Sequence, residues 1–403
     1  MMLRLLKLLL LFSFFIVSCR SKNEADRQML KGCDRLQRVD NLYTTIDLEH
    51  AEERAYDDFI DSIHYIPLGD ECGVIGNILN IITYKGRFYI QEDHFDRVFI
   101  YDESGKCLKK IDNKGRGPSE YLRVESIDIN TEKEELILVD GMSDKLFFYD
   151  LDGNFKYLRR LGRIQASNSL WLHDSTFLHL MSPGQNVGSE ELHGYALLLS
   201  KGGQPFYRGY RYIPFQDGCR GGGVILKGCN SVYYYPVYSD TIYQIATDST
   251  YIPKYNFKIK NSSWEKYQVS DRFILLDGDE TGVFPRIFET HDFLIAYIAD
   301  KKIGENRLQP LLYDRILGRT YLLRWSEYQS LSEMDCFGGY MAWGVCGDWF
   351  IALGTYSNFE SNDIFERVRD GSLKMTNPEH EKIIRNMDTD SNPVLILTRF
   401  KHL

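Results

Sequence analysis

Asp93 and His94 stand side by side in a polar stretch and carry the residue types that acid–base or metal chemistry needs. An imidazole titrates near neutrality, and a neighbouring carboxylate can orient it or share a cation with it. A solvated loop histidine is the plainer reading of the same pair. Twenty-odd residues on, Arg116, Glu120 and Tyr121 could present a charged pair and a phenol to a ligand. Their surroundings offer another use: Gly115, Gly117 and Pro118 make a tight connection, in which Glu120 would accept backbone N–H bonds and Tyr121 would pack. Trp264, Tyr267 and Tyr238 could stack on sugar rings or fill an ordinary core.

Nucleophile and metal signatures are missing from the sequence. It holds no His-x-x-x-His, no Cys-x-x-Cys and no Gly-x-Ser-x-Gly elbow, and Gly221-Gly222-Gly223 lacks the Lys-Ser/Thr that completes a phosphate loop. No catalytic residue and no cofactor is therefore assigned. A divalent metal is not indicated, and would need several Glu, Asp or Asn side chains converging from separate strands. Of the eight cysteines, Cys219/Cys229 and Cys336/Cys346 share a spacing of ten. A strand is expected inside each pair, and four extended residues already span roughly 13 Å. A disulfide wants Cα atoms within about 7 Å, so bridges inside these pairs are not expected.

One cysteine has a different chemistry. Arg4 and Lys7 precede an apolar run from Leu8 to Val17, and Ile16-Val17-Ser18-Cys19 follows. That is a secretory signal, too short to serve as a mature spanning helix. The four residues ending at Cys19 resemble a lipobox, which implies an acylated Cys19 as the first mature residue and attachment to a membrane by lipid chains. Residues 19–58 are polar and charged and read as a lipidated tether. The formal charge of −9 becomes −11 once Arg4 and Lys7 leave with residues 1–18. An acidic chain of this kind disfavours a nucleic-acid partner.

The elements that position these residues show as a repeat. Gly86 to Lys106 recurs 48 positions later as Glu134 to Asn154, with Asp96-Arg97-Val98-Phe99-Ile100-Tyr101-Asp102 matching Asp144-Lys145-Leu146-Phe147-Phe148-Tyr149-Asp150. Ser231 to Ile245 is a third, partial copy, and Ser239-Asp240-Thr241-Ile242-Tyr243 falls on Ser143-Asp144-Lys145-Leu146-Phe147. A period of about 40 to 50 residues with four short strands is that of propeller blades. Blade one reads as 77–83, 87–91, 97–102 and 106–112, and the same phase puts further inner strands near 122–130, 166–172, 223–227, 283–290 and 340–345. These make six blades; dividing about 345 residues by 48 gives seven, the alternative.

The last unit stops one strand short. Ser62-Ile63-His64-Tyr65-Ile66 alternates as a strand should and can close the ring from the other end of the chain, hiding the exposed sheet edges. The propeller thus occupies 59–403, with a long insert at 354–392. Within it Asn377-Pro378 reads as an N-cap and first helical residue, predicting a short helix to about Met387 that could pack or act as a lid. Second-to-third strand loops and blade links gather on one rim, the loop-rich one, where binding is usually placed. His173 and His291 fall on the opposite rim, and His64 on the closing strand.

Lys114-Gly115-Arg116-Gly117-Pro118-Ser119-Glu120-Tyr121 resembles the Gly-x-Gly-Pro-Gly-Glu-Tyr hallmark of six-bladed β-propeller lipoproteins of Bacteroides-type bacteria, themselves similar to NHL and TolB-like propellers. Ser239-Asp240-Thr241-Ile242-Tyr243, Asn392-Pro393-Val394-Leu395 and the lipobox extend the likeness over nearly the whole mature chain. Ser119 replaces the hallmark's third Gly, which puts a positive φ there in doubt. The resemblance implies an all-β propeller in the cell envelope, on the outer rather than the inner membrane, and carries over no catalytic residue. The first expectation is a noncatalytic, lipid-anchored binding protein whose ligand is a protein, peptide or glycan. Arg116, Glu120, Tyr121, Asp93, His94, Tyr238 and Trp264 are the candidate ligand contacts. A metal-dependent lactonase, esterase or lyase, and a structural subunit of an envelope complex, are the alternatives.

Overall fold

The computed structural model describes residues 33–403 apart from 41, 163, 190–191, 213–222, 230, 237–238, 248, 260–280, 301–307, 325–341, 362, 374 and 376. Cys19, Cys219, Cys336, Tyr238, Trp264 and Tyr267 lie outside the described residues.

Six antiparallel sheets form a six-bladed β-propeller. Blade one comprises Ile78–Tyr84, Arg87–Glu92, Arg97–Asp102 and Cys107–Ile111; blade two comprises Ser126–Asn130, Glu135–Asp140, Lys145–Asp150 and Phe155–Arg160. The 48-residue repeat is a repeat of geometry. Asp96 and Asp144 both turn their loops at positive φ (56° and 59°), and Gly105 and Gly153 do so in the outer turns (84° and 80°). Those glycines are required twice over, since a Cβ on Gly105 would strike the Pro67 carbonyl, and one on Gly153 would meet Ile100 and Lys109 at 2.9 Å.

Strand alternation explains the stacking. In blade one Phe88, Ile90, Phe99 and Tyr101 pack toward blade six, while Tyr89, Val98 and Ile100 pack on Ile127, Leu136, Leu138, Phe147 and Tyr149 of blade two. Each buried Phe, Leu or Ile of this kind stabilises by about 1.5–3 kcal/mol. Blades three to six have inner strands Asn168–His173, Val224–Lys227, Thr281–Glu289 and Gly344–Cys346. Trp349–Gly354 and Val394–Phe400 follow in blade six, and Ile60–Pro67 completes it as the outer strand, with Leu395 opposite Ile66 and Leu397 opposite His64. Asp61 seals the far end of the seam through Arg399 at 2.7 Å.

The segment leading to that strand departs from the tether expectation. Asp34–Arg35 pairs in parallel with the outer strand of blade three, Gln37–Arg38 and Thr44–Asp47 with that of blade four, and Glu52–Ala55 with that of blade five. Residues 34–55 are thus a strap that lays a fifth strand on three successive blades. Their polar composition is compatible with this because the bonds are made by backbone, and burial is confined to a few anchors such as Leu36 and Ile46.

Asn392 fastens the link from blade six to blade one. Its carbonyl accepts Ile75 N–H at 2.7 Å, and its amide donates to Gly69 O and Gly73 O at 2.9 and 3.2 Å. A disulfide between Cys72 and Cys107, 35 residues apart, pins the same link to the outer strand of blade one; the cysteine spacings gave no sign of it. Cys229 and Cys346 are free thiols.

Among the described residues of the insert at 354–392 are three short helices, Tyr356–Ser361, Ile364–Asp370 and Pro378–Arg385. Asn377 caps the last by accepting Glu379 N–H, with Pro378 at the first turn. Phe359, Ile364, Val368 and Ile384 bury against Tyr65, Val394 and Ile396 on the blade-five side of blade six. The insert is therefore packed against the propeller wall and is no lid. Among the described residues no helix is long and apolar enough to cross a membrane.

Candidate functional site

On the loop-rich rim, an open cleft of about 500 Å³ lies between blades one and two, lined by Asp93, His94, Asp96, Lys114, Leu122, Arg123 and Met142. Three segments build it: the loop 93–96 of blade one, the blade link 113–125, and the loop 141–144 of blade two. Each is held from behind by a carboxylate, buried at Asp96 and Asp140 and half-buried at Glu125. Asp96, almost fully buried, pairs with Lys114 through one oxygen and accepts Val124 N–H at 3.2 Å through the other. Asp140 accepts Leu122 N–H at 2.7 Å together with the N–H and hydroxyl of Ser143 at 3.0 and 2.6 Å. Glu125 takes Gly141 N–H at 2.8 Å. Burial is the main reason the Glu125 carboxyl titrates above its ordinary range, with the neighbouring Asp140 and Asp96 adding to it against the pull of Gly141 N–H and Arg123.

With the walls fixed in this way, the exposed side chains of the cleft are free to engage a ligand. Asp93 and His94 are exposed, and the His94 ring meets Phe95 edge-on at 4.3 Å. Phe95 is 49% exposed and Met142 66% exposed, while the Arg97 guanidinium lies 4.4 Å over the Phe95 ring and bonds Glu92 at 2.8 Å. Val187, in the corresponding loop of blade three, is also 66% exposed. This sector of the rim therefore offers apolar side chains flanked by charges of both signs, a surface suited to noncovalent recognition.

The residues expected from sequence to touch a ligand divide. Asp93 and His94 line the cleft. Arg116 is exposed on the link but does not line it. Glu120 turns back to accept Gly117 N–H at 2.6 Å, and a Cβ on Gly115 or Gly117 would displace its carboxylate from that position. Tyr121 is buried; its hydroxyl accepts Asn113 N–H at 3.1 Å and donates to Ile111 O at 3.3 Å. Ser119 does not adopt a positive φ, so the hallmark's third glycine is dispensable here. Lys114, Leu122, Arg123 and Met142 were not singled out from sequence, although the repeat that equates His94 with Met142 could have pointed to the second loop.

Other polar groups serve elsewhere. Asp128 on the inner strand of blade two reaches Lys227 on that of blade four at 2.8 and 2.7 Å, and accepts Trp171 N–H of blade three at 2.5 Å. This pair bridges the inner strands of blades two and four past that of blade three. His179 is buried, with Ser169 Oγ at 2.8 Å from Nδ1 and Ser200 Oγ at 2.7 Å from Nε2, and burial pushes its pKa down to about 3. On the turn-rich rim His173 is exposed, and His291 touches Asp292 at 2.6 Å. His64 is exposed on the closing strand, 4.9 Å from the Trp349 ring. Among the described residues, Asp47, Glu49 and His50 on the strap have ligand atoms within 4.8 Å of one another, but Lys258 already pairs with both carboxylates at 3.2 and 2.9 Å.

A family model now places the chain, since it matches residues 43–399. The protein belongs to the DUF4934 family, described as a domain of unknown function. This DUF4934 chain is similar in fold to a candidate exported protein of Bacteroides fragilis, with 18% identity, a TM-score of 0.71, and coverage of 89% of this chain and 100% of that one. A DUF4221 family member from Bacteroides vulgatus aligns at 10% identity and a TM-score of 0.48, over 85% and 97% of the two chains. No curated protein matches the DUF4934 chain.

Proposed function

We propose that the protein is a cell-envelope propeller, held on the outer membrane through an acylated Cys19, that binds a peptide segment or a glycan noncovalently through its loop-rich rim. The observation that carries this reading is the cleft between blades one and two. Its walls are braced by Asp96, Glu125 and Asp140, while Arg123, Met142, His94 and Phe95 are left at the surface. Exposed apolar side chains beside paired charges favour a protein or peptide over a bare sugar. The signal ending in Ile16-Val17-Ser18-Cys19 supports the envelope location, and the exported description of the Bacteroides fragilis protein agrees with it.

The test is a peptide-display selection and a glycan array with the purified full chain, repeated with Arg123→Glu/Met142→Arg and with Ile316→Arg on the opposite rim. Ligands should lose at least tenfold in affinity with the first variant and none with the second. Binding that ignores the cleft variant would overturn the reading.

A further inference from the structure

The strap shows what the outer edge of a blade accepts. Blades three, four and five each take an extended segment in parallel with their last strand; in blade three Leu36 N–H donates to Arg208 O at 2.7 Å, and in blade four Val39 N–H donates to Tyr251 O and Leu48 N–H to Lys258 O, both at 3.1 Å. The outer strands of blades two to five end on a cation, at Arg160, Arg211, Lys258 and Arg324. In two blades a strap carboxylate meets that cation: Lys258 pairs with Asp47 and Glu49, and Arg324 with Glu53 at 2.9 Å. A buried aliphatic residue, Ile46, anchors the strap beside the first of these pairs.

Blade two has the same edge without the fifth strand. Among the described residues, Phe155–Arg160 pairs only with Lys145–Asp150. Phe155 is 38% exposed, and the Arg160 side chain is 82% exposed, with Asp144 at 3.6 Å. Lys156 and Arg159 make the strand more basic still, on a chain whose net charge is −9. Lysine and arginine on an edge strand guard against indiscriminate pairing; in blades four and five the same cation also selects an acidic partner.

We infer that the outer strand of blade two is a docking edge for an extended acidic segment of a partner protein, which adds as a parallel fifth strand and sets a carboxylate on Arg160. This is strand addition to an open sheet edge, with backbone bonds supplying affinity and charge supplying selection. The chain's own preceding segment is the poorer occupant. Residues 20–32, which precede Cys33 in the sequence, carry four cations (Arg20, Lys22, Arg27, Lys31) against two acids (Glu24, Asp26). The edge is a separate surface from the rim cleft, and the inference stands apart from the rim reading.

The probe is a fluorescent peptide of the strap sequence Tyr43 to Ala55, with a control in which Asp47, Glu49, Glu52 and Glu53 are replaced by their amides. It is titrated into the full chain while backbone hydrogen exchange is followed. The inference expects the acidic peptide to bind, the amide control to bind at least tenfold more weakly, and exchange to slow at 155–160. Arg160→Glu should weaken binding at least tenfold and Arg160→Lys should restore most of it. Three results would overturn it: no binding; protection at 250–258 or 319–324 through replacement of the strap; or amides 155–160 already protected in the free chain, which would make residues 20–32 the occupant. Binding to anionic lipid vesicles that depends on Arg160, without amide protection at 155–160, would assign the edge to a membrane and overturn it as well.

Discussion

Breaking the Cys72–Cys107 bond tests how the ring is held shut. The link it pins runs from the closing strand of blade six to the inner strand of blade one, and the bridged cysteines are 35 residues apart. In the chain-entropy treatment a cross-link closing 35 residues removes roughly 2.1 + 1.5R ln 35, about 13 cal/mol/K, from the unfolded chain, which is about 4 kcal/mol at 25 °C. Cys72→Ala/Cys107→Ala should lose that amount plus about 1 kcal/mol for contacts of the Cys107 sulfur in the cluster around Phe99 and Leu353. Urea unfolding by tryptophan fluorescence reads the loss as a lower midpoint and a steeper slope, because the uncrosslinked unfolded chain exposes more surface. Reducing the native protein isolates the cross-link alone and should reproduce most of the effect. Hydrogen exchange gives the local signature: Gly69 N–H, bonded to Gly105 O at 2.8 Å, and Ile75 N–H should lose protection before the inner strands do. Equal stability of the native and double-alanine chains would refute the claim that this link is a seam needing a staple. So would a loss matched by Cys346→Ala, which removes a free thiol.

Asn392→Ala leaves three backbone groups of the same link without their partner, and should cost about 2–3 kcal/mol in the same unfolding assay. Lys227→Met strands the Asp128 carboxylate, whose titration burial raises and Lys227 lowers; a loss of about 3 kcal/mol is expected, largely recovered by adding Asp128→Asn. His179 is neutral in the fold, with its pKa lowered to about 3, whereas the unfolded chain protonates it near 6.5. Its contribution is therefore complete above pH 6.5 and falls as pH drops below that; about 2 kcal/mol is lost between pH 7 and pH 5, and His179→Gln should flatten this part of the stability–pH curve. Metal analysis of the purified chain is expected to find no stoichiometric divalent ion; a tightly held one would move the functional reading to a propeller enzyme.

The parts of this fold that were legible in the sequence are those where a local rule repeats. Asp96/Asp144 and Gly105/Gly153 recur because each blade needs the same left-handed residues at the same turns. The closing strand was visible because Ile63 and Tyr65 alternate with polar neighbours. The strap was not, since a fifth strand on an outer edge is stabilised mainly by backbone bonds and buries little beyond Leu36 and Ile46, which leaves a tether-like composition. Cys72–Cys107 and Asp128–Lys227 join positions brought together by ring closure, and sequence distance encodes neither. At the site, Asp93 and His94 announced themselves by residue type. Arg123 and Met142 are ordinary residues made prominent by the loops that carry them, and Glu120 and Tyr121 owe their spacing to the turn they stabilise.

The proposed ligand site is the sector between blades one and two. A photo-cross-linking amino acid placed at Met142, and separately at Ile316 on the opposite rim, tests it with a ligand from the display selection. Cross-linking is expected from position 142 and not from 316; cross-linking from 316 alone would contradict that placement.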